Sequence, residues 1–138
     1  PKTDGSGRNR KNLKTAIDIL EKGGYKVYEN LLYSPENLPI KFEVLLVSPA
    51  FEKIVGPFIE NLKRLGIEAT LRIVDPAQYK NRLDQFDYDM VVIAIGQSLA
   101  PGNEQKSDWS SQAADIPGSS NWIGIKNPAV DYLIKKII

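Results

Sequence analysis

The densest set of oxygen ligands in this 138-residue chain is Asp84, Asp87 and Asp89, three carboxylates within six positions that have the chemistry to hold Mg²⁺. Asp87-Tyr88-Asp89 falls between the end of a predicted helix and the start of a predicted parallel strand. Ligands in open α/β sheets collect at the opposite, carboxyl ends of strands, so a solvated turn is the stronger reading of the three. Gly5-Ser6-Gly7-Arg8 has the look of a phosphate loop, but it lacks both the Lys-Ser/Thr of a Walker motif and a preceding strand, and reads as a flexible linker. A third set is longer and neutral: Gly96-Gln97-Ser98-Leu99-Ala100-Pro101-Gly102-Asn103-Glu104 offers amide, hydroxyl and free backbone groups in one stretch. Such groups suit an oxyanion or the main chain of a ligand.

The chain contains no histidine and no cysteine. That removes the Ser-His-Asp triad, the cysteine nucleophile, zinc fingers and His-ligated metals, and it leaves the neutral stretch without a base of suitable pKa beside a nucleophile. No cofactor is expected. Lys and Arg number 18 against 17 Asp and Glu. Residues 1–30 carry seven basic and four acidic groups, 31–95 seven and nine, and 96–138 four and four, so no strongly basic face for nucleic acid is expected. No apolar run approaches the roughly 18 residues of a membrane span, and Pro1–Gly7 has no apolar region of a signal peptide. If the parent protein is exported, the expectation is that its signal lies upstream. The apolar periodicity of Leu133, Ile134, Ile137 and Ile138 running to the last residue suggests a piece of something longer.

The elements that must position these groups follow from the hydrophobic pattern. Leu13, Ala16, Ile17 and Leu20 recur at helical spacing before Gly23-Gly24, which predicts a helix over residues 8–22. Tyr25–Tyr33 and Leu38–Val47 flank Ser34-Pro35-Glu36-Asn37, a set of turn formers that predicts a hairpin. Val44-Leu45-Leu46-Val47 is apolar on both faces, as a buried parallel strand requires. Ser48-Pro49 then caps a helix with the stripe Phe51, Ile54, Val55, Phe58, Ile59, Leu62 and Leu65, bent at Gly56-Pro57 and closed by Gly66. The alternation of Ile67, Ala69, Leu71 and Ile73 predicts a strand near a sheet edge, and Asp75-Pro76 opens a helix to about Phe86. Residues 88–95, without polar alternation, predict a central strand covered on both faces.

This order predicts an α/β fold with a parallel sheet in the order 67–74, 40–47, 88–95, that is 2-1-3, layered by helices. Residues 31–33 are expected to pair antiparallel to the segment near 38–42. Residues 96–127 break the rhythm, with at most a short helix near Asp108 to Ala114, and Asn127-Pro128 opens a last helix. Long loops of this kind usually serve function or an interface. Three strand ends converge on Ser48-Pro49-Ala50, Asp75-Pro76-Ala77 and the stretch from Gly96, a neutral hydrogen-bonding rim. Trp109 and Trp122 in the irregular stretch either stack on a ligand or anchor the loop.

The order of elements and several strings resemble the C-terminal lobe of the extracytoplasmic solute-binding proteins of ABC importers, in the oligopeptide/dipeptide-binding family. The carrying segments are Leu20–Tyr25, Asn61–Ile67, Asp75–Tyr79, Phe86–Asp89 and Asn121–Asp131, with Val47–Ile138 and Asn9-Arg10 looking especially like the branch that carries peptides and peptide-like antibiotics of the microcin C type. The resemblance implies a type II periplasmic binding protein, non-enzymatic, of which residues 1–138 are a single α/β domain forming one of two lobes. It also implies a peptide or peptide-like ligand held between the lobes, an ABC permease in the membrane as partner, and a periplasmic location. In many members Gly-Trp after the third strand is followed by an Asp that pairs with the peptide's amino terminus. Here Gly96 is kept, Gln97 replaces Trp, and Ala100 stands where the Asp would be, leaving Glu104 or the N-terminal lobe to hold the amine. The candidate ligand-binding residues are Ser48, Gln97, Ser98, Asn103, Glu104, Asn121 and Trp122. The alternative is a flavodoxin-like α/β enzyme or regulatory small-molecule-binding domain, which needs a complete pocket of its own at the strand ends.

Overall fold

The structure, a computed structural model, describes residues 9–138. The backbone groups into two compact units that divide between Ile73 and Val74. Gly5–Arg8 lies outside the described residues.

In the first unit, α1 (Arg10–Lys22) carries its half-buried Leu13, Ala16, Ile17 and Leu20 on one side and ends at Gly23, followed by Gly24 at φ +84°. β1 (Lys26–Tyr28) and β2 (Leu31–Tyr33) form an antiparallel hairpin with Lys26 opposite Tyr33 and Tyr28 opposite Leu31. Its turn is Glu29-Asn30, with φ of +48° and +66°. Positive φ at both central positions is the geometry whose twist matches the flanking strands. This hairpin, inside the predicted arm Tyr25–Tyr33, was not expected; the one expected across Ser34–Asn37 is present but short, with Tyr33 bridged antiparallel to Pro39 and the Ser34 and Ile40 N–H groups bonded to the Leu38 and Leu32 carbonyls, each at 2.8 Å.

β3 (Lys41–Leu46) and β4 (Glu68–Ile73) pair in parallel, from Lys41 opposite Glu68 to Leu46 opposite Ile73. The first pair is also an ion pair, with the Lys41 Nζ 2.7 Å from Glu68 Oε2. Val44, Leu45 and Leu46 are at most 1% exposed, so consecutive side chains on both faces of β3 are covered, as the unbroken apolar run predicts. The half-polar β4 lies at one edge of the strand order β4-β3-β5, which is the predicted 2-1-3 order.

Between them a 3₁₀ turn, Pro49–Phe51, leads into α2 (Glu52–Lys63), which continues through Pro57. The predicted stripe is split: Val55 and Leu65 are buried, whereas Phe51, Ile54 and Phe58 are 40%, 69% and 43% exposed. Seven apolar positions at helical spacing cover more than one face, and only part of that arc is buried.

In the second unit, Asp75 caps α3 (Pro76–Asp84) by accepting the Ala77 and Gln78 N–H groups, each at 2.9 Å. The helix closes without glycine. Phe86 takes φ +55°, and Asp87 N–H returns to the Arg82 carbonyl at 2.9 Å. Tyr79 and Leu83 are buried on its inner side.

β5 is only Met90–Val91, not the whole of 88–95, and residues 92–98 run on without ladder assignment. None of residues 90–95 is buried, so the expected two-sided cover of this strand is not found. An apolar run states that cover is wanted; it does not supply a neighbour. The short helix also shifts, to α4 (Glu104–Trp109), with a single 3₁₀ turn at Ala113–Asp115 covering part of the predicted stretch. α5 (Pro128–Ile137) starts as predicted, with the Asn127 side chain accepting the Ala129 N–H at 2.9 Å.

Candidate functional site

The loop after β5 is built around one carboxylate. Glu104 Oε1 accepts the Gly102 N–H at 2.8 Å, the Ser98 hydroxyl at 3.2 Å and Gln105 Nε2 at 3.5 Å. The single Ser98 hydroxyl proton is shared with the Ala100 carbonyl, the nearer of its two acceptors. Gln105 Nε2 donates to Gln97 Oε1, and Gln97 Nε2 donates to Asp108 Oδ2 at 3.3 Å. Asp108 is itself buried and takes the Ser107 hydroxyl at 3.1 Å. Gln97, Ser98 and Glu104 are thus brought into one network. Asn103 leads into α4 without a side-chain cap, and the Glu104 side chain folds back to the Gly102 N–H that precedes the helix.

The Gly102 N–H is the main reason the Glu104 carboxyl is held below the usual carboxylate range, with its own N–H, Gln105 and Ser98 acting in the same direction against partial burial. A carboxylate stabilised in this way is a poor proton acceptor near neutrality. The Ser98–Glu104 pair therefore lacks the poised base that nucleophilic catalysis requires.

Asn121 and Trp122 belong to a second cluster. Asn121 is 0% exposed, and its Nδ2 donates to the Ser110 and Ile125 carbonyls while its Oδ1 accepts the Ile125 N–H, each at 3.0 Å. Every polar atom of the side chain is used inside the loop, so Asn121 contributes the loop's shape and not a contact at the surface. The Trp122 carbonyl accepts the Tyr88 hydroxyl at 2.7 Å, and the Tyr79 hydroxyl binds the Val92 carbonyl at the same distance. Partial burial raises both phenols above their ordinary pKa. Trp122 lines a shallow cleft of about 420 Å³ with Phe86, Tyr88, Asp89, Ile123 and Lys126.

Ser48 is in the first unit, where its hydroxyl accepts the Ala50 N–H at 3.3 Å. In that unit a cleft of about 750 Å³ lies between the end of α2 and the start of β4, lined by Ile59, Lys63, Arg64, Ile67 and Glu68 among others. It sits at the amino ends of the parallel strands, away from Ser48. The aspartate set is used locally: Asp84 pairs with Lys80 and Asp87 with Arg82 at 2.9 Å, and among the described residues no three metal-ligating side chains converge.

One tie was not anticipated. Asp131, in the first turn of α5, accepts the Ser111 N–H at 2.8 Å and is held below the usual carboxylate range chiefly by it. The only signal was an acidic residue near a helix start, which the helix dipole alone explains. Neither Tyr79 nor Tyr88 carried a recognisable signal.

The loop after β5 thus presents amide, hydroxyl and backbone groups around the Glu104 carboxylate. A family model, "Bacterial extracellular solute-binding proteins, family 5 Middle", matches residues 1–115. The chain belongs to this family. Among curated relatives, the Sinorhizobium fredii protein y4wM is 48% identical over 130 residues, covering 94% of this chain and 20% of that protein. The probable peptide-binding protein YejA of Agrobacterium fabrum is 41% identical over 132 residues, covering 95% and 22%. The chain therefore spans about a fifth of the length of these curated relatives. Among solved structures, the oligopeptide-binding protein AppA of Bacillus subtilis, in complex with a nonapeptide, superposes with a TM-score of 0.69 at 25% identity, over 89% of this chain and 25% of that one. The family 5 assignment agrees with the resemblance read from Leu20–Tyr25 through Asn121–Asp131.

Proposed function

We propose that this chain is one lobe of a two-lobed, extracytoplasmic substrate-binding protein of an ABC importer, that its ligand is a peptide or peptide-like compound, and that it is not an enzyme. The observation that carries this reading is the family 5 match over residues 1–115, supported by the likeness to a probable peptide-binding protein and to AppA with its nonapeptide. The loop chemistry agrees. An extended peptide needs main-chain partners and tolerant pockets, and the residues Gln97, Ser98 and Asn103 with the backbone from Gly96 to Gly102 are neutral donors and acceptors. Ser48, Glu104 and Trp122 complete the proposed ligand-facing set, with Asn121 acting through the loop it shapes. The membrane permease and the N-terminal lobe are the proposed partners.

Half a cleft leaves a ligand largely solvated, so the 138-residue chain alone is expected to bind short peptides at about millimolar or weaker. The intact two-lobed protein is expected to bind them at least a hundredfold more tightly. Calorimetry with a set of tri- to nonapeptides tests both. Micromolar binding by the chain alone would overturn the one-lobe reading and favour a domain with a complete pocket of its own.

A further inference from the structure

We infer that the open edge of β4 is a pairing site for a second copy of this chain, which joins it antiparallel so that Glu68 of each copy lies opposite Arg72 of the other. The pairing does not depend on which ligand the protein carries. β4 is an edge strand in the order β4-β3-β5, and its ladder with β3 runs without a bulge from Lys41–Glu68 to Leu46–Ile73. The strand, Glu-Ala-Thr-Leu-Arg-Ile, contains neither the lysine nor the proline that commonly blunts an edge. A parallel ladder engages alternate residues. The Glu68 N–H bonds the Ile40 carbonyl at 3.1 Å, so Glu68, Thr70 and Arg72 turn their backbone groups to β3, and Ala69, Leu71 and Ile73 turn theirs away from it. Among the described residues, these three N–H groups make no hydrogen bond.

Only residues whose backbone faces outward can exchange hydrogen bonds across such an edge, which leaves few registers. In one of them Ala69 of each copy lies opposite Leu71 of the other, and Thr70 meets its own counterpart on a twofold axis. Glu68 then faces Arg72 twice, on the side of the strand where Glu68, Thr70 and Arg72 are all exposed. On the other side Ile73, 40% exposed, meets Ile67 at the wall of the cleft of about 750 Å³. Moving the register one step either way sets Glu68 opposite Thr70, or Thr70 opposite Arg72, and separates the charges. Opposite charges directly across two strands are favourable and like charges are not, so the sequence selects the first register. Arg72 makes no ion pair among the described residues, and Glu68, bonded to Lys41 at 2.7 Å, keeps nearly half of its side chain exposed. A twofold contact of this kind closes at two copies. The ladder is short. The Ile67 N–H is already bonded to the Leu62 carbonyl at 3.1 Å, which leaves the bonds exchanged by Ala69 and Leu71 and one from each Ile73 N–H to the facing Ile67 carbonyl. An interface this small is weak, and half-association is expected at about 10–100 μM.

The test is sedimentation of the intact protein across a thousandfold concentration range, with amide exchange read at β4. A dimer is expected to form, and exchange at Ala69, Leu71 and Ile73 to slow as it fills, while Ile67, Thr70 and Arg72, already bonded within one copy, stay unchanged. R72E and E68R each set like charges opposite one another and are expected to weaken association by about tenfold or more. An equimolar mixture of the two variants restores opposite charges at both pairs and is expected to associate within about threefold of wild type. Should E68R fail to fold beside Lys41, E68Q takes its place and is expected to weaken association by about threefold, and an unchanged affinity in it would overturn the proposal. A protein that stays monomeric across the range also overturns it, whether Ala69 and Leu71 exchange rapidly or are protected at every concentration by chain outside these residues. So does association that leaves those amides unchanged, or a mixture that associates no more tightly than either variant alone.

Discussion

Asn121 shows how much one buried polar side chain holds. With no exposed surface and three hydrogen bonds to Ser110 and Ile125, it closes the turn 121–125 and joins it to the segment after α4. Asn121→Ala leaves two carbonyls and one N–H without these partners, and each such buried group costs about 1–3 kcal/mol. We expect a loss of more than about 2 kcal/mol in chemical denaturation. Asn121→Asp should be no better, because it keeps an acceptor for Ile125 N–H but replaces both donors with a buried charge. If Asn121→Ala unfolds at the wild-type midpoint, the side chain is not the tie described. Gly66 is the backbone counterpart. It holds φ +81°, and a Cβ there would stand 2.9 Å from the Leu32 nitrogen, whose N–H bonds the Gly66 carbonyl at 2.7 Å. Gly66→Ala therefore combines strain with displacement of the hairpin, and a loss of roughly 1–3 kcal/mol is expected in thermal melts compared at constant pH.

At the level of elements, the helix caps and the strand order were legible in the sequence, whereas one tight turn and the side-chain ties within the loops were not. The caps at Ser48, Asp75 and Asn127 lie where Ser/Asp/Asn-Pro predicts them, because a cap is decided within four residues. The β1–β2 hairpin was missed because Glu29-Asn30 lacks the glycine that usually marks a turn with two positive φ values, whereas the turn at Ser34–Asn37, with its Ser, Pro and Asn, was legible. In the candidate site, Gln97, Ser98 and Glu104 were recognisable as one neutral stretch, but that Glu104 folds back onto Gly102 is a matter of rotamer and could not be read. The same holds for Asp131, which joins α5 to the loop at Ser111. Its pKa is lowered in the folded protein, so its contribution is present above the unfolded carboxylate value of about 3.9 and is lost as pH falls through the lower folded value. Glu104 acts in the same direction. Stability should therefore decline as the solution is acidified below about pH 4, and Asp131→Asn should flatten that decline while lowering stability at pH 7. Denaturation midpoints measured from pH 2.5 to 7 check this, and an unchanged slope in the variant would contradict it.

For the molecule as a whole, the decisive feature is the apolar surface these residues leave open. Phe51 in the 3₁₀ turn and Ile54 and Phe58 on α2 are exposed, as are Tyr132, Leu133 and Ile137 on α5. β5 stops at Val91, although Val92, Ile93 and Ile95 continue its pattern without being buried. The segment 119–125 is tied to it near its start, where the Trp122 carbonyl accepts the Tyr88 hydroxyl, and no bridge joins the two among the described residues. An extended apolar run with free backbone groups is a template for another strand. In the proposed two-lobed protein, chain outside these residues supplies that strand, which fits relatives about five times as long. The 138-residue chain by itself should then self-associate as its concentration rises, with the amides of Ile93 and Ile95 exchanging freely when dilute and gaining protection in the associated form. Sedimentation across a thousandfold concentration range, combined with exchange at those two amides, measures both effects. Substituting Val92→Lys would be a poor substitute test, since the charge would disturb packing as well as pairing. A chain that stays monomeric throughout, with Ile93 and Ile95 exchanging rapidly at every concentration, would show that this run tolerates an open edge and needs no partner strand.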